Sequence, residues 1–218
     1  MSALTMPASD NRTALAVACR LVETEDDANL SALIRKDPSL LQLSDDEGDT
    51  LLGYALWRRK FNAVRILLRQ GADINQCFDG FTYLHLAIDI KPGGDLPAAE
   101  LLLDLGAKPD VRGVNDWTPL HRAAFWGYKE FAQLLLARGA SIDARTTIDM
   151  YETPLMLAAS AGRSEVVKLL LDWGANPELE DGLGRSIEEI ASQSGHKHVV
   201  DLLQWQKSKG SQELGKEE

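Results

Sequence analysis

Four histidines and two cysteines are the side chains of this 218-residue chain best suited to chemistry near neutral pH. His85 and His121 each end a related phrase, TYLH from Thr82 and TPLH from Thr118. Their recurrence ties them to a repeated local structure rather than to one reaction centre. His196 and His198 flank Lys197, and residues two apart do not share a helical face, so they make a poor metal pair. Cys19 and Cys77 are too few and too far apart for a disulfide framework or a metal cluster, and they fit a reducing compartment. No Ser-His-Asp grouping, HExxH sequence, phosphate loop or GxSxG elbow occurs. Carboxylate pairs such as Asp45 with Asp46 fall in predicted turns, where solvated acids are ordinary. The chain therefore reads as non-catalytic, with no cofactor and no metal.

The elements that would position these residues repeat. GADIN at Gly71 returns as GAKPD at Gly106, GASID at Gly139 and GANPE at Gly174, a period of 33 to 35 residues. Thr50, Thr82, Thr118 and Thr153 open TLLGYAL, TYLHLAI, TPLHRAA and TPLMLAA in phase with it. Such self-similarity predicts a solenoid of stacked units, each unable to bury its apolar face alone. The threonines can cap a first helix, and Pro119 is tolerated in its first turn because the missing N–H would have had no helical partner. Small residues at Ala55, Ala87, Ala123 and Ala158 let neighbouring helices approach closely. Leu134, Leu135 and Leu136 belong to a second helix, with Gly139 where a left-handed C-terminal cap is wanted.

These phrases resemble the ankyrin repeat family, TPLH at Thr118 to His121 matching its signature letter for letter. The resemblance implies an all-α solenoid of helix pairs with projecting β-hairpin or turn fingers, in about six units. We divide the chain into an N-terminal arm (1–12), an N-terminal cap (13–44), repeats at 45–76, 77–110, 111–144 and 145–178, a C-terminal cap (179–205) and a flexible tail (206–218). Glu188 and Glu189 replace expected Leu and His in the last unit and would end the stack with a polar face. In the family the histidine of the phrase bonds backbone and joins adjacent repeats. Finger residues and exposed first-helix residues line a concave groove that binds other proteins.

In this chain those groove positions are aromatic and acidic. Aligned on the threonines, they place Asp49, Phe78, Asp79, Phe81, Trp117 and Met150 on fingers, and Trp57, Asp89, Phe125 and Trp126 on first helices. Exposed aromatic clusters mark contact surfaces, and Trp is enriched at their energetic centres. The alternative is that the rings pack on one another and stabilise the stack. Two insertions accompany them: three extra residues in DIKPGGDLP, whose prolines and glycines predict a bulging turn, and a long finger between Gly139 and Thr153 containing Ile148, Met150 and Tyr151.

The formal charge is -10, and residues 1–50 hold ten acids against four bases. That argues against a nucleic-acid partner, whose phosphates need a basic surface, and favours a basic protein partner or plain solubility. No apolar run approaches the ~20 residues of a membrane span, and the N-terminus makes a poor signal peptide. The expectation is a cytoplasmic monomer that binds a protein partner, as a scaffold or regulator. The alternatives are an immunity or inhibitor protein that neutralises a toxin or enzyme, and an oxidative-stress accessory factor exported to the periplasm.

Overall fold

The computed structural model describes residues 8–45, 48–78, 80–89, 92–148 and 150–214. Six antiparallel helix pairs follow one another: α1 (Ala8–Glu23) with α2 (Asp27–Lys36), α3 (Leu51–Trp57) with α4 (Phe61–Arg69), and α5 (Tyr83–Asp89) with α6 (Leu96–Asp104). Next come α7 (Pro119–Trp126) with α8 (Lys129–Ala137), α9 (Pro154–Ser160) with α10 (Ser164–Asp172), and α11 (Ile187–Gln193) with α12 (Lys197–Leu214). First helices stack on first helices and second on second, giving an all-α solenoid. Among the described residues no helix is long and apolar enough to cross a membrane.

Local chemistry sets each start and stop. Thr50 Oγ1 accepts the Gly53 N–H at 3.2 Å, Thr118 Oγ1 the His121 N–H at 3.4 Å, Thr153 Oγ1 the Met156 N–H at 3.3 Å, and Ser186 Oγ the Glu189 N–H at 3.3 Å, so these four first helices open on a hydroxyl cap. Gly71, Gly106, Gly139 and Gly174 have φ between 84° and 103°, and the following alanine N–H bonds back into each helix, as Ala140 does to the Leu135 carbonyl at 2.9 Å. Ala55, Ala87, Ala123 and Ala158 are buried where first helices meet, in one core running along the stack.

Of the hairpin or turn fingers expected, most described ones are turns. Strand pairing among the described residues is confined to Cys77–Phe78 with Phe81–Thr82 and an isolated bridge between Ser44 and Thr50. Later fingers are turns, each closed by a backbone bond such as Gly113 N–H to the Trp117 carbonyl (2.8 Å) or Thr146 N–H to the Glu152 carbonyl (3.0 Å). Side chains join one finger to the next. Asn75 accepts the Lys108 N–H at 2.9 Å, Asp110 the Ser141 N–H at 2.9 Å, and Asp143 the Asn176 N–H at 3.0 Å. The last residue of GADIN, GAKPD and GASID is thus an inter-repeat bond.

The insertion after α5 folds inward. Asp95 is buried, donates its N–H to the Ala87 carbonyl at 2.7 Å, caps α6 through the Ala98 N–H, and pairs with Arg59 at 3.2 Å. Gly94 (φ 69°) lies where a Cβ would meet the Phe131 ring at 2.5 Å. At the C-terminus helix α12 does not stop at Trp205 with the apolar periodicity. It continues to Leu214, held by Lys207, which pairs with Glu188 at 2.6 Å.

Candidate protein-interaction surface

The two phrase histidines are committed to architecture. His85 and His121 are fully buried. The Thr118 N–H donates to His121 Nδ1 at 3.2 Å, which places the ring proton on Nε2, and Nε2 then donates to the Glu152 carbonyl of the next finger at 3.1 Å. His85 repeats the arrangement between Thr82 and the Trp117 carbonyl, at 3.4 and 3.0 Å. Burial pulls both rings down to a pKa of about 4, so they are neutral at pH 7. The equivalent residue varies elsewhere. Met156 Sδ accepts the Thr153 N–H at 3.4 Å, and Glu189 Oε2 accepts the Ser186 N–H at 2.8 Å. At Gly53 the role passes to the next repeat, whose Tyr83 hydroxyl lies 2.7 Å from Thr50 Oγ1. Burial pushes the Tyr83 phenol up to about 12.

The remaining candidates for chemistry are dispersed. The rings of His196 and His198 lie 5.7 Å apart, and His198 Nε2 reaches the Gly162 carbonyl at 3.2 Å. Cys19 is half-buried and Cys77 exposed, both as free thiols. Burial, then Asp45 and Glu23, push the Cys19 thiol up, away from reactive thiolate. Among the described residues no group of three His, Cys, Asp or Glu is placed to hold a metal.

The aromatic residues converge at the middle of the stack. Trp117, on its finger, lies 5.3 Å from Phe125, and Phe125 meets Trp126 edge-on at 5.3 Å and 77°. Trp126 remains 44% exposed, while Trp117 and Phe125 are half-buried beneath it. Phe81 joins from the preceding repeat through Arg122, whose guanidinium carbon lies 4.5 Å from the centre of its ring. Arg122 also pairs with Asp89 at the end of α5. Burial raises the Asp89 carboxyl, opposed by Arg122 and by the Trp126 indole N–H. Within one cluster the lower rings pack and the upper one faces solvent.

The other predicted residues sit on other repeats or outside the described set. Trp57, 45% exposed, ends α3 beside an apolar notch shared with Gly53, Tyr83 and Leu86. Asp49 is half-buried, its N–H donating to Asp45 at 2.9 Å. Met150 lies on its finger, the carbonyl accepting the Gly182 N–H at 2.6 Å. Phe78 contributes backbone to the short strand pair, its side chain lying outside the description, and Asp79 lies outside the described residues. Asp89 is bound within the chain by Arg122, so its charge is spent there. Arg122 is not among the positions that the repeat motifs single out. Its signal was the register: four residues after Thr118, it faces Asp89, seven after Thr82.

A family model for ankyrin repeats (three copies) matches residues 75–146 and 142–213. The chain is 36% identical over 112 residues to the glycerophosphocholine phosphodiesterase gde1 of Schizosaccharomyces pombe, covering 51% of this chain and 10% of that one. It is 38% identical over 95 residues to protein PhlB of Serratia liquefaciens, 44% of this chain and 41% of that one. A putative ankyrin repeat protein of Acanthamoeba polyphaga mimivirus is 28% identical over 76% of this chain and 21% of its own. The match thus spans less than half of each relative's length. With paired helices, hydroxyl caps, glycine stops and finger-to-finger bonds recurring at the repeat period, and the family model matching from 75 to 213, the chain belongs to the ankyrin repeat family.

Proposed function

We propose that this chain is a non-catalytic protein-binding scaffold whose contact surface is the finger and first-helix face, centred on Trp126. The observation that carries this reading is the half-exposed Trp126 ring seated edge-on against Phe125. A large indole held in one attitude loses little freedom on binding and buries much area, which is why Trp dominates interface hot spots. Trp57 on α3 would extend the face toward the N-terminal repeats, and residues 1–50, with ten acids against four bases, would favour a basic partner. The same surface would serve an inhibitor that covers an enzyme's active site, and assaying the captured partner's activity separates the two roles. The test is affinity capture from cells of origin with the wild-type chain, Trp126→Ala and the second-helix control Lys168→Ala. The reading expects a protein retained by wild type and Lys168→Ala and lost with Trp126→Ala. Equal retention by all three folded proteins would overturn it.

A further inference from the structure

We infer that the cleft between the α7–α8 turn and the α9–α10 turn is a carboxylate subsite of the contact face, where Arg163 takes an aspartate or glutamate side chain from a partner segment lying against Trp126. The inference rests on the reading of Trp126 as a contact residue and adds the chemistry of what it contacts. Trp126 and Gly127 line the cleft from the first turn, Gly162, Arg163 and Ser164 from the second, around a space of about 280 Å³. Gly127 (φ 81°) gives Arg163 its seat: a Cβ there would stand 2.8 Å from the arginine Cδ, so the aliphatic stem lies against the bare glycine. Nε then donates to the Phe125 carbonyl at 3.0 Å. The preceding repeat thus holds the stem and Nε. The two terminal nitrogens of this exposed guanidinium have no carboxylate or carbonyl partner among the described residues.

Equivalent residues in the other repeats are answered within the chain. The backbone N–H at this register position closes each turn, Lys60 on the Ala55 carbonyl, Asp95 on Ala87, Tyr128 on Ala123 and Arg163 on Ala158, all at 2.7 to 2.9 Å. Lys60 pairs with Glu25 at 2.8 Å, Asp95 with Arg59 at 3.2 Å, and the Tyr128 hydroxyl accepts the Gly93 N–H at 3.0 Å. Arg163 joins the neighbouring repeat through Nε alone, and its charge is left over. Glu165, also at the cleft, is answered by Lys129 at 2.9 Å. Over residues 111–165 six acids balance six bases, so no general field masks this one cation. A planar fork with one uncompensated charge matches a carboxylate, which accepts two parallel N–H bonds, whereas a doubly charged phosphate would keep one charge unanswered beside Glu165. A partner that is basic opposite residues 1–50 and acidic at this cleft is thereby fixed in direction along the stack.

The test selects random peptides on the full chain, displayed on phage through their C-termini so that only side chains supply carboxylates. Enriched sequences are synthesised with amidated ends and titrated by calorimetry. The subsite expects an aspartate or glutamate near an aromatic or aliphatic residue. Replacing that acid by its amide should weaken binding to wild type about tenfold, as loss of a charge-assisted pair implies. Arg163→Gln should weaken the acidic peptide as much and the amide peptide no further, the signature of a direct pair. Lys168→Ala should bind as wild type, with native circular dichroism throughout. Peptides whose affinity ignores Arg163, enriched peptides without an acid, or no enrichment at all would overturn the subsite. If Arg163→Gln unfolds, Arg163→Lys is measured instead and should lose most of the same affinity, since it keeps the charge but not the fork; wild-type affinity, or unfolding of that variant too, overturns the inference. Peptides lost with Trp126→Ala but indifferent to Arg163 sink the subsite and keep the contact face. Peptides that need Arg163 yet bind Trp126→Ala normally keep the subsite and refute the face centred on Trp126.

Discussion

Lowering the pH from neutrality should loosen the stack through its two buried histidines, and His121→Ala should halve that response. Each ring is fully buried, and burial holds it at a pKa of about 4 against an ordinary value of 6.5. The folded state thus disfavours the imidazolium, and the unfolded chain binds more protons between those values. Stability is then full above pH 6.5 and falls as pH drops toward 4, where the folded rings themselves titrate. At about 1.4 kcal/mol per pH unit, each ring can withdraw about 3 kcal/mol over the whole window, and the pair about 4 kcal/mol between pH 6.5 and 5. That upper range lies above most carboxylate titration, so the histidine contribution can be read there. At pH 7, His121→Ala should cost about 2 to 4 kcal/mol, because it leaves the Thr118 N–H and the Glu152 carbonyl without their bonds and empties a buried volume. Urea unfolding at half-unit steps between pH 5 and 7 measures both effects. A variant that keeps the wild-type slope, or a wild type whose stability is flat over this range, would refute the buried neutral ring.

Gly139→Val should lower stability by about 1 to 2 kcal/mol from backbone strain alone, since φ is 84° and nothing lies within 4 Å of an added Cβ; an unchanged urea midpoint would contradict this. Gly94→Ala should cost more, adding a clash with the Phe131 ring at 2.5 Å to a φ of 69°, and the two midpoints compared in one series check the order. Trp126→Ala should weaken binding of a captured partner by about 2 kcal/mol or more with an unchanged melting temperature, as calorimetry on the same sample can establish.

Much of this architecture could be read from spacing because it is local. A hydroxyl three residues before an N–H, a glycine after a leucine run, and an alanine where helices cross are short-range requirements, and Thr118, Gly139 and Ala123 meet them in the letters themselves. The fingers were less legible: closing each through one backbone bond and an aspartate of the preceding repeat needs only Asp110 or Asp143, not the alternating pattern of a strand. Helix α12 outran its apolar pattern because Lys207 is anchored by ion pairs, which periodicity does not detect. The aromatic face was legible as a set of positions but not as a geometry. Phe81, Trp117, Phe125 and Trp126 are picked out together by their positions, while Arg122, whose guanidinium covers Phe81 and pairs with Asp89, belongs to no motif letter that marks it.

Departures from the repeat divide by whether the chain answers them internally. Gly53 removes the side chain that would reach Thr50, and Tyr83 supplies a hydroxyl from the next repeat. An added Cβ at Gly53 would stand 3.6 Å from the Tyr83 ring, already in van der Waals contact with it. The three added residues after α5 are matched as well, by Asp95 as cap and by Tyr128, whose hydroxyl accepts the Gly93 N–H at 3.0 Å. Trp126 has no such answer. The following repeat places Ala161 at the same register position and closes its turn equally well, with the Arg163 N–H on the Ala158 carbonyl at 2.8 Å as the Tyr128 N–H is on Ala123 at 2.9 Å. The turn closes without an indole there. Keeping a large ring half in water costs apolar hydration that burial would recover, about 25 cal/mol for each Å² covered. A partner that covers it would recover that free energy.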